Sequence, residues 1–332
     1  RDPEMSRGLG DVYKRQQMHM DDAIYADESI YEYPMQQGGG NDGRPYSFGR
    51  PSSGGSKAAY PCKSYGQGRI NPAYFYGVFD PNDMRRDVSI TMTGSNGKGV
   101  EKLIPFVPNS KAEGGGLTLN KWDENRQANP WVAAQRKSGI NGPYMRMSEV
   151  YLGYAEVCAA LGDVVTGKQY LKTVRERSFP QGLANTDAFI ASFGNDLVRA
   201  IIEERGFEYA GEGDRRWTLI RSGYLPEDIK RIKDMTKAMM DGLATKGYYE
   251  FENGNIISAY IWTKLVDAKT IYGHRLTAQC PMDKVNDPVL YPGWRGQKDN
   301  WEEMGLNYGN SAPATNLAIK GLFEIVSEEE AA

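Results

Sequence analysis

An apolar stripe that runs into acids constrains this chain more than any other feature. Ile190, Phe193, Leu197, Ala200 and Ile201 recur at helical spacing behind Thr186 and Asp187, residues suited to a helix start. On the same face the next positions are Glu204 and Glu208, within IIEERGFEYAGEGDRRWTLIR (201–221). The spacing predicts one helix from Thr186 to about Ala210 and another over 214–222, beyond the glycines. A carboxylate on a core-facing stripe loses hydration and has to be paired or neutralised. Arg215, Arg216 and Arg221 on the following helix are placed to reach back across Gly211–Gly213, while Arg205 pairs along the surface. Arginine suits the task because its planar fork holds two carboxylate oxygens at once.

Two readings of Glu204 and Glu208 follow. At i and i+4 their Cβ atoms stand about 5–6 Å apart, a separation compatible with a glycosidase acid/base pair. Several arginines beside both acids would instead hold their protons off, whereas a general acid needs its pKa raised. That favours a structural ion network of Glu204, Glu208, Glu212, Arg215 and Arg221 that fixes the angle between two helices. The acids cancel the local positive charge, so nucleic acid is not an expected partner.

Composition narrows the chemistry further. The 332 residues carry a net charge of −3, which gives no global field for nucleic acid or an anionic membrane surface. Two histidines, His19 and His274, leave little room for histidine-based catalysis or a multi-histidine zinc site. Cys62, Cys158 and Cys280 match neither a disulfide framework nor a C-x-x-C motif. No apolar run approaches the roughly 20 residues of a membrane-spanning helix. Gly49–Gly54 has phosphate-loop spacing without its lysine, and DPNDM (80–84) begins like a calcium loop and then breaks the pattern at Met84. No cofactor and no metal are expected.

Along the chain, residues 1–16 resemble translated adapter or vector sequence, or else form a disordered tail. Residues 17–332 read as one domain, loop-rich over 17–143, helical over 144–241 and loop-rich again over 242–332. SIYEY (29–33) and DVSITMT (87–93) read as strands, and NPAYFYGVFDPND (71–83) as irregular loop. Met147, Val150, Tyr151, Tyr154, Val157, Cys158 and Leu161 form the inward stripe of a helix that Gly162 stops. A second helix over Lys168–Arg177 turns Tyr170, Leu171 and Val174 inward, and the two form a tetratricopeptide-like pair. A further helix opens at LPEDIK, and an amphipathic run closes the chain at 316–326. The fold class is mainly α: helix pairs on one side, a loop-rich face and a few short strands on the other.

Several of these elements together resemble the C-terminal part of SusD/RagB-like proteins, surface glycan- and nutrient-binding lipoproteins of Gram-negative outer membranes. The likeness is carried by Glu204, Arg205, Glu208, Glu212, Gly213, Arg215, Leu219 and Arg221, an ERxxE run followed by an E-G-x-R turn and an L-x-R helix. Arg146, Glu149, Tyr154, Ala155 and Glu156 match the preceding helix, VRERS (174–178) a V-R-x-R element, and ESIYE (28–32) a strand. FDPNDMRRDVSIT (79–91) and NDPVLYPGW (286–294) match further segments, while Gly206 and Arg216 depart from the pattern. The resemblance implies an N-terminal half and a lipoprotein signal upstream, and an α-α superhelix of tetratricopeptide-like pairs. It also implies non-catalytic binding of an oligosaccharide or peptide nutrient at the cell surface, with delivery to a SusC-like TonB-dependent transporter. Membrane contact is then through a lipid anchor alone. The competing functions are a glycoside hydrolase using Glu204 and Glu208, and an intracellular helical-repeat adaptor.

Sugar binding wants flat aromatic faces beside polar groups on rigidly held loops. YGQGRINPAYFYGVF (65–79) offers Tyr65, Asn71, Tyr74, Phe75 and Tyr76, the expected ligand-binding residues. Lys121–Trp122 with Trp131, and YYEFENGN (248–255), are the other candidates.

Overall fold

The computed structural model describes residues 28–39, 70–80, 82–91, 93–95, 101–103, 118–119, 121–122, 139–246, 248–258, 263–265 and 274–276. The 1–16 tail, Tyr65, Trp131, the 286–294 segment and the 316–326 run lie outside these residues.

Helices dominate. After strand β1 (Ser29–Tyr33) come α1 (Pro72–Gly77) and α2 (Met84–Ser89), then short strands β2 (Ile90–Thr91), β3 (Thr93–Ser95), β4 (Glu101–Leu103) and β5 (Thr118–Leu119). Strand β6 (Gly142–Arg146) leads into the helical run: α3 (Met147–Ala160), α4 (Val164–Glu176), α5 (Thr186–Ala191), α6 (Leu197–Glu208), α7 (Asp214–Ser222) and α8 (Leu225–Lys246). Strands β7 (Tyr248–Glu250), β8 (Ile256–Ser258), β9 (Thr263–Leu265) and β10 (His274–Leu276) follow. Among the described residues every sheet is a two-stranded pair, with β1 antiparallel to β6.

Two segments read as loop or strand are helical for local reasons. Asn71 accepts a hydrogen bond from Ala73 N at 2.8 Å and Pro72 takes the first turn, so NPAYFYG starts a helix instead of a loop. Asp83 accepts from Arg85 N at 3.0 Å and caps α2, so the first three residues of the expected 87–93 strand are helical, while Ile90, Thr91 and Thr93 are extended. The helix expected from Thr186 to about Ala210 is two. Gly194 and Asn195 both take φ 65°, and Asp196 caps a new helix by accepting from Arg199 N at 2.9 Å. The cap of α5 is Asn185, one residue before Thr186.

Helices α3 and α4 form the antiparallel pair, and Leu152, Ala155, Leu171, Val174, Leu197, Ala200 and Ile201 build the shared core with α6. The inward face of α3 differs from the expected stripe. Ser148, Leu152, Ala155 and Cys158 point in, while Val150, Tyr154, Val157 and Leu161 (81% exposed) point out. The crossing explains the rotation: a Cβ on Gly167 of α4 would sit 3.0 Å from the Ala155 carbonyl, so the helices meet through small residues. Apolar spacing is helical on both faces of α3, and packing selects the smaller one.

Candidate functional site

Helix α6 runs through the middle of the molecule, and every residue from Arg199 to Glu208 is buried. It therefore carries its charges into the interior, where each needs a partner. Glu204 Oε2 accepts from Arg175 Nη1 at 2.8 Å, and its other oxygen pairs with Arg85. One turn on, Glu208 receives Arg146 Nη1 and Arg177 Nη2, both at 2.6 Å, on Oε1 and Arg85 Nη1 at 3.0 Å on Oε2.

The network extends outward from these two carboxylates. Arg85 also binds Asp83 at 2.6 Å, and Arg146 binds Glu28 at 2.8 Å and Glu212 at 2.9 Å. Lys121 pairs with Glu212 and donates to the Glu208 carbonyl at 3.1 Å. Asp83, Glu28, Glu204, Glu208 and Glu212 thus meet Arg85, Lys121, Arg146, Arg175 and Arg177, a balanced set. Burial lowers the proton affinity of the Arg85 and Arg146 guanidiniums, and their carboxylate neighbours more than reverse this. Arg177 is pulled below its ordinary value by burial and by Arg146 and Arg85, against Glu28. Burial pushes the Tyr209 phenol up to about 12, and its hydroxyl donates to Ser148 Oγ at 3.2 Å.

The arginines expected to close on Glu204 and Glu208 serve other acids. Arg215 binds Glu203 at 2.8 Å and Asp228 at 2.9 Å, and Arg231 joins the same two acids at 2.9 and 2.6 Å. Arg221 forms an exposed fork on Glu156, its Nη2 donating at 2.7 Å. Arg205 is not on the surface: it is buried against Asp214 at 2.5 Å. The reason is helical phase. Position 203 faces α7 and α8, whereas 204 and 208 face α2, α4 and β6.

Gly206 belongs to this second network. A Cβ there would lie 2.7 Å from Arg215 Nη1, and Arg215 is already held by Glu203, Asp228 and the Ile202 carbonyl. Gly206→Ala is expected to destabilise the fold by about 1–2 kcal/mol despite alanine's better helix propensity; thermal denaturation checks it.

Burial pushes the Glu203 carboxyl up, but Arg215 and Arg231 outweigh it and hold it below the usual carboxylate range. A carboxyl held low in the fold contributes stability that is complete above its unfolded pKa, about 4.3, and is lost as pH falls through the folded value. Urea midpoints are therefore expected to drop on acidification below about pH 4. Glu203→Gln is expected to start lower at pH 7 and fall less steeply.

The aromatic stretch is largely internal. Phe75 is 0% and Tyr76 4% exposed, which corrects their expected place against a ligand. Tyr74 is half-buried, edge-on to Phe79 at 5.6 Å, and burial raises its phenol above its ordinary value. Asn71 donates to Thr236 Oγ1 at 2.9 Å, so its side chain both caps α1 and ties it to α8. Lys121 and Trp122 are buried as well, with Lys121 in the central network. The 248–255 candidate packs onto the first: Phe251 stacks on Tyr76, and the Asn253 and Asn255 amides donate to the Tyr76 carbonyl at 2.9 and 2.7 Å. Asn253 and Asn255 of that candidate stretch thus tie it to α1.

Both Glu204 and Glu208 are sealed from solvent with guanidinium against every oxygen, so no substrate reaches them. Among the described residues no cluster of His, Cys, Asp and Glu is arranged for a metal ion, and no helix is long and apolar enough to cross a membrane. Fold and network together define a mainly helical protein whose charged motif is a scaffold.

The family follows from the sequence match. The SusD family model matches residues 9–292, and the chain belongs to that family. The SusD-like protein P25 of Formosa agariphila is 28% identical over 160 residues, 48% of this chain and 26% of that protein. Surface glycan-binding protein A from Bacteroides thetaiotaomicron, also solved in complex with laminarihexaose, is 19% identical, with TM-score 0.44 over 63% of this chain and 45% of its own. A SusD homolog from the same organism is 18% identical, with TM-score 0.47 over 70% of this chain and 47% of its own. The chain thus spans about a quarter of the curated relative and under half of each of these two solved ones.

Proposed function

We propose that this chain is the non-catalytic binding component of a nutrient-uptake system at the outer-membrane surface. It takes an oligosaccharide or a peptide nutrient and delivers it to a SusC-like TonB-dependent transporter, held to the membrane by a lipid anchor. The observation that supports this reading is the family match over residues 9–292, joined to charged motif residues that are internally neutralised. The glycosidase alternative needs a carboxyl free to give up and regain a proton beside substrate. Glu204 and Glu208 are buried and shared among arginines instead.

Isothermal titration against a panel of oligosaccharides and peptides, with reducing ends measured in the same samples, tests the reading. Binding without new reducing ends is expected. Release of reducing ends that disappears in Glu204→Gln would establish hydrolysis in its place, and binding to nothing in the panel would count against uptake of these nutrients.

A further inference from the structure

We propose that the cleft between α5 and the turn after α1 binds the end of a neutral oligosaccharide; this rests on the uptake reading above. The cleft encloses about 520 Å3, inside the roughly 300–1,000 Å3 of small-molecule sites. One wall is apolar: Leu183, Phe189, Phe193 and Phe207 line it, and Phe189 meets Phe193 edge-on at 5.2 Å. Leu183 is exposed and the rings of Phe189 and Phe193 are half-exposed, so apolar surface is open at the mouth.

Polar groups on the lining are incompletely used. Asp80 Oδ1 accepts from Asn82 N at 2.8 Å, and Asn185 Oδ1 accepts from Ala188 N at 2.9 Å. Among the described residues Asp80 Oδ2, the Asn82 side-chain amide and the Asn185 NH2 group have no hydrogen-bond partner, and all three residues line the cleft. A carboxylate acceptor and two free amides on the lining of one cleft match a sugar's hydroxyls, which donate and accept at once. The phenyl faces suit the C–H side of a pyranose ring.

Charge selects among sugars. Arg175 and Arg231 line the cleft, but Arg175 is held by Glu204 at 2.8 Å and lies over Phe189 at 3.7 Å. Arg231 is held by Glu203 and Asp228. Both cations are charge-balanced by these acids, with the buried Nε of each left without a hydrogen-bond partner among the described residues, and Asp80 adds a negative charge that repels an acidic group. The ligand is therefore a neutral glycan, not a uronate or a sulfated chain.

Titration of neutral glucose, mannose and xylose hexaoses and of an oligogalacturonate into the protein tests this. At least one neutral hexaose is expected to bind, and the oligogalacturonate at least tenfold more weakly. Phe193→Ala is expected to weaken the neutral hexaose tenfold or more. Because Phe193 also packs against the core, the exposed Ala188→Trp is a second probe: it fills the cleft without removing a buried contact, and is expected to abolish binding with the unfolding temperature kept. A hexaose that binds wild type and both variants equally would place the ligand elsewhere and leave the uptake reading standing. Tighter binding of the oligogalacturonate would overturn the neutral class, and no sugar binding at all would overturn the site together with glycan uptake.

Discussion

Glu208→Ala is expected to cost about 3–5 kcal/mol, a large share of the roughly 5–15 kcal/mol that holds a domain together. The loss is not that of one bond. Arg85, Arg146 and Arg177 all turn guanidinium hydrogens on this carboxylate, and removing it leaves like charges facing one another in a buried space. Glu208→Gln is expected to retain most of that loss, because the volume stays and the charge goes. Urea unfolding followed by circular dichroism measures both variants. A Glu208→Gln protein as stable as wild type would mean the network is neutralised some other way.

Phe75→Ala is expected to cost about 3–5 kcal/mol through the cavity it leaves, and to leave affinity for a bound nutrient unchanged once folded protein is assayed. Phe75 is fully buried, meets Tyr76 edge-on at 4.9 Å and lies under the Arg86 guanidinium at 4.8 Å. Its contacts are those of a plug that seats α1 on the helical body. The measurement pairs thermal unfolding with titration of a ligand of the wild-type protein. Unchanged stability with lost affinity would return Phe75 to the ligand side.

The motif in α6 was legible because an apolar stripe ending in glutamates admits few outcomes in a folded chain. Its partners were harder to see. Arg215 and Arg221 are close in sequence and drew the expectation, yet Glu204 and Glu208 are met by Arg85, Arg146, Arg175 and Arg177, the first of them 119 and 123 positions away. One signal was available: Val174 faces inward on α4, which brings Arg175 and Arg177 near the same core. For Arg85 there was none, since the capping of α2 by Asp83 was hidden in a segment with strand-like composition. In α3 the period was legible and the phase was not, because residues 150, 154, 157 and 161 are as helical in spacing as 148, 152, 155 and 158. Only Gly167 against Ala155 decides between them. The aromatic stretch misled for a related reason. Tyrosine and phenylalanine beside glycines look the same whether they face a ligand or plug a short helix, and the start signal in Asn71–Pro72 was the cue that separated the two.

A double-mutant cycle on Glu204→Leu and Arg175→Met reads the coupling between acid and guanidinium on α6 and α4 directly. Mutual neutralisation predicts that each single change is strongly destabilising and that the pair loses at least about 1.5 kcal/mol less than the sum. Additive losses, or a Glu204→Leu protein as stable as wild type, would contradict it.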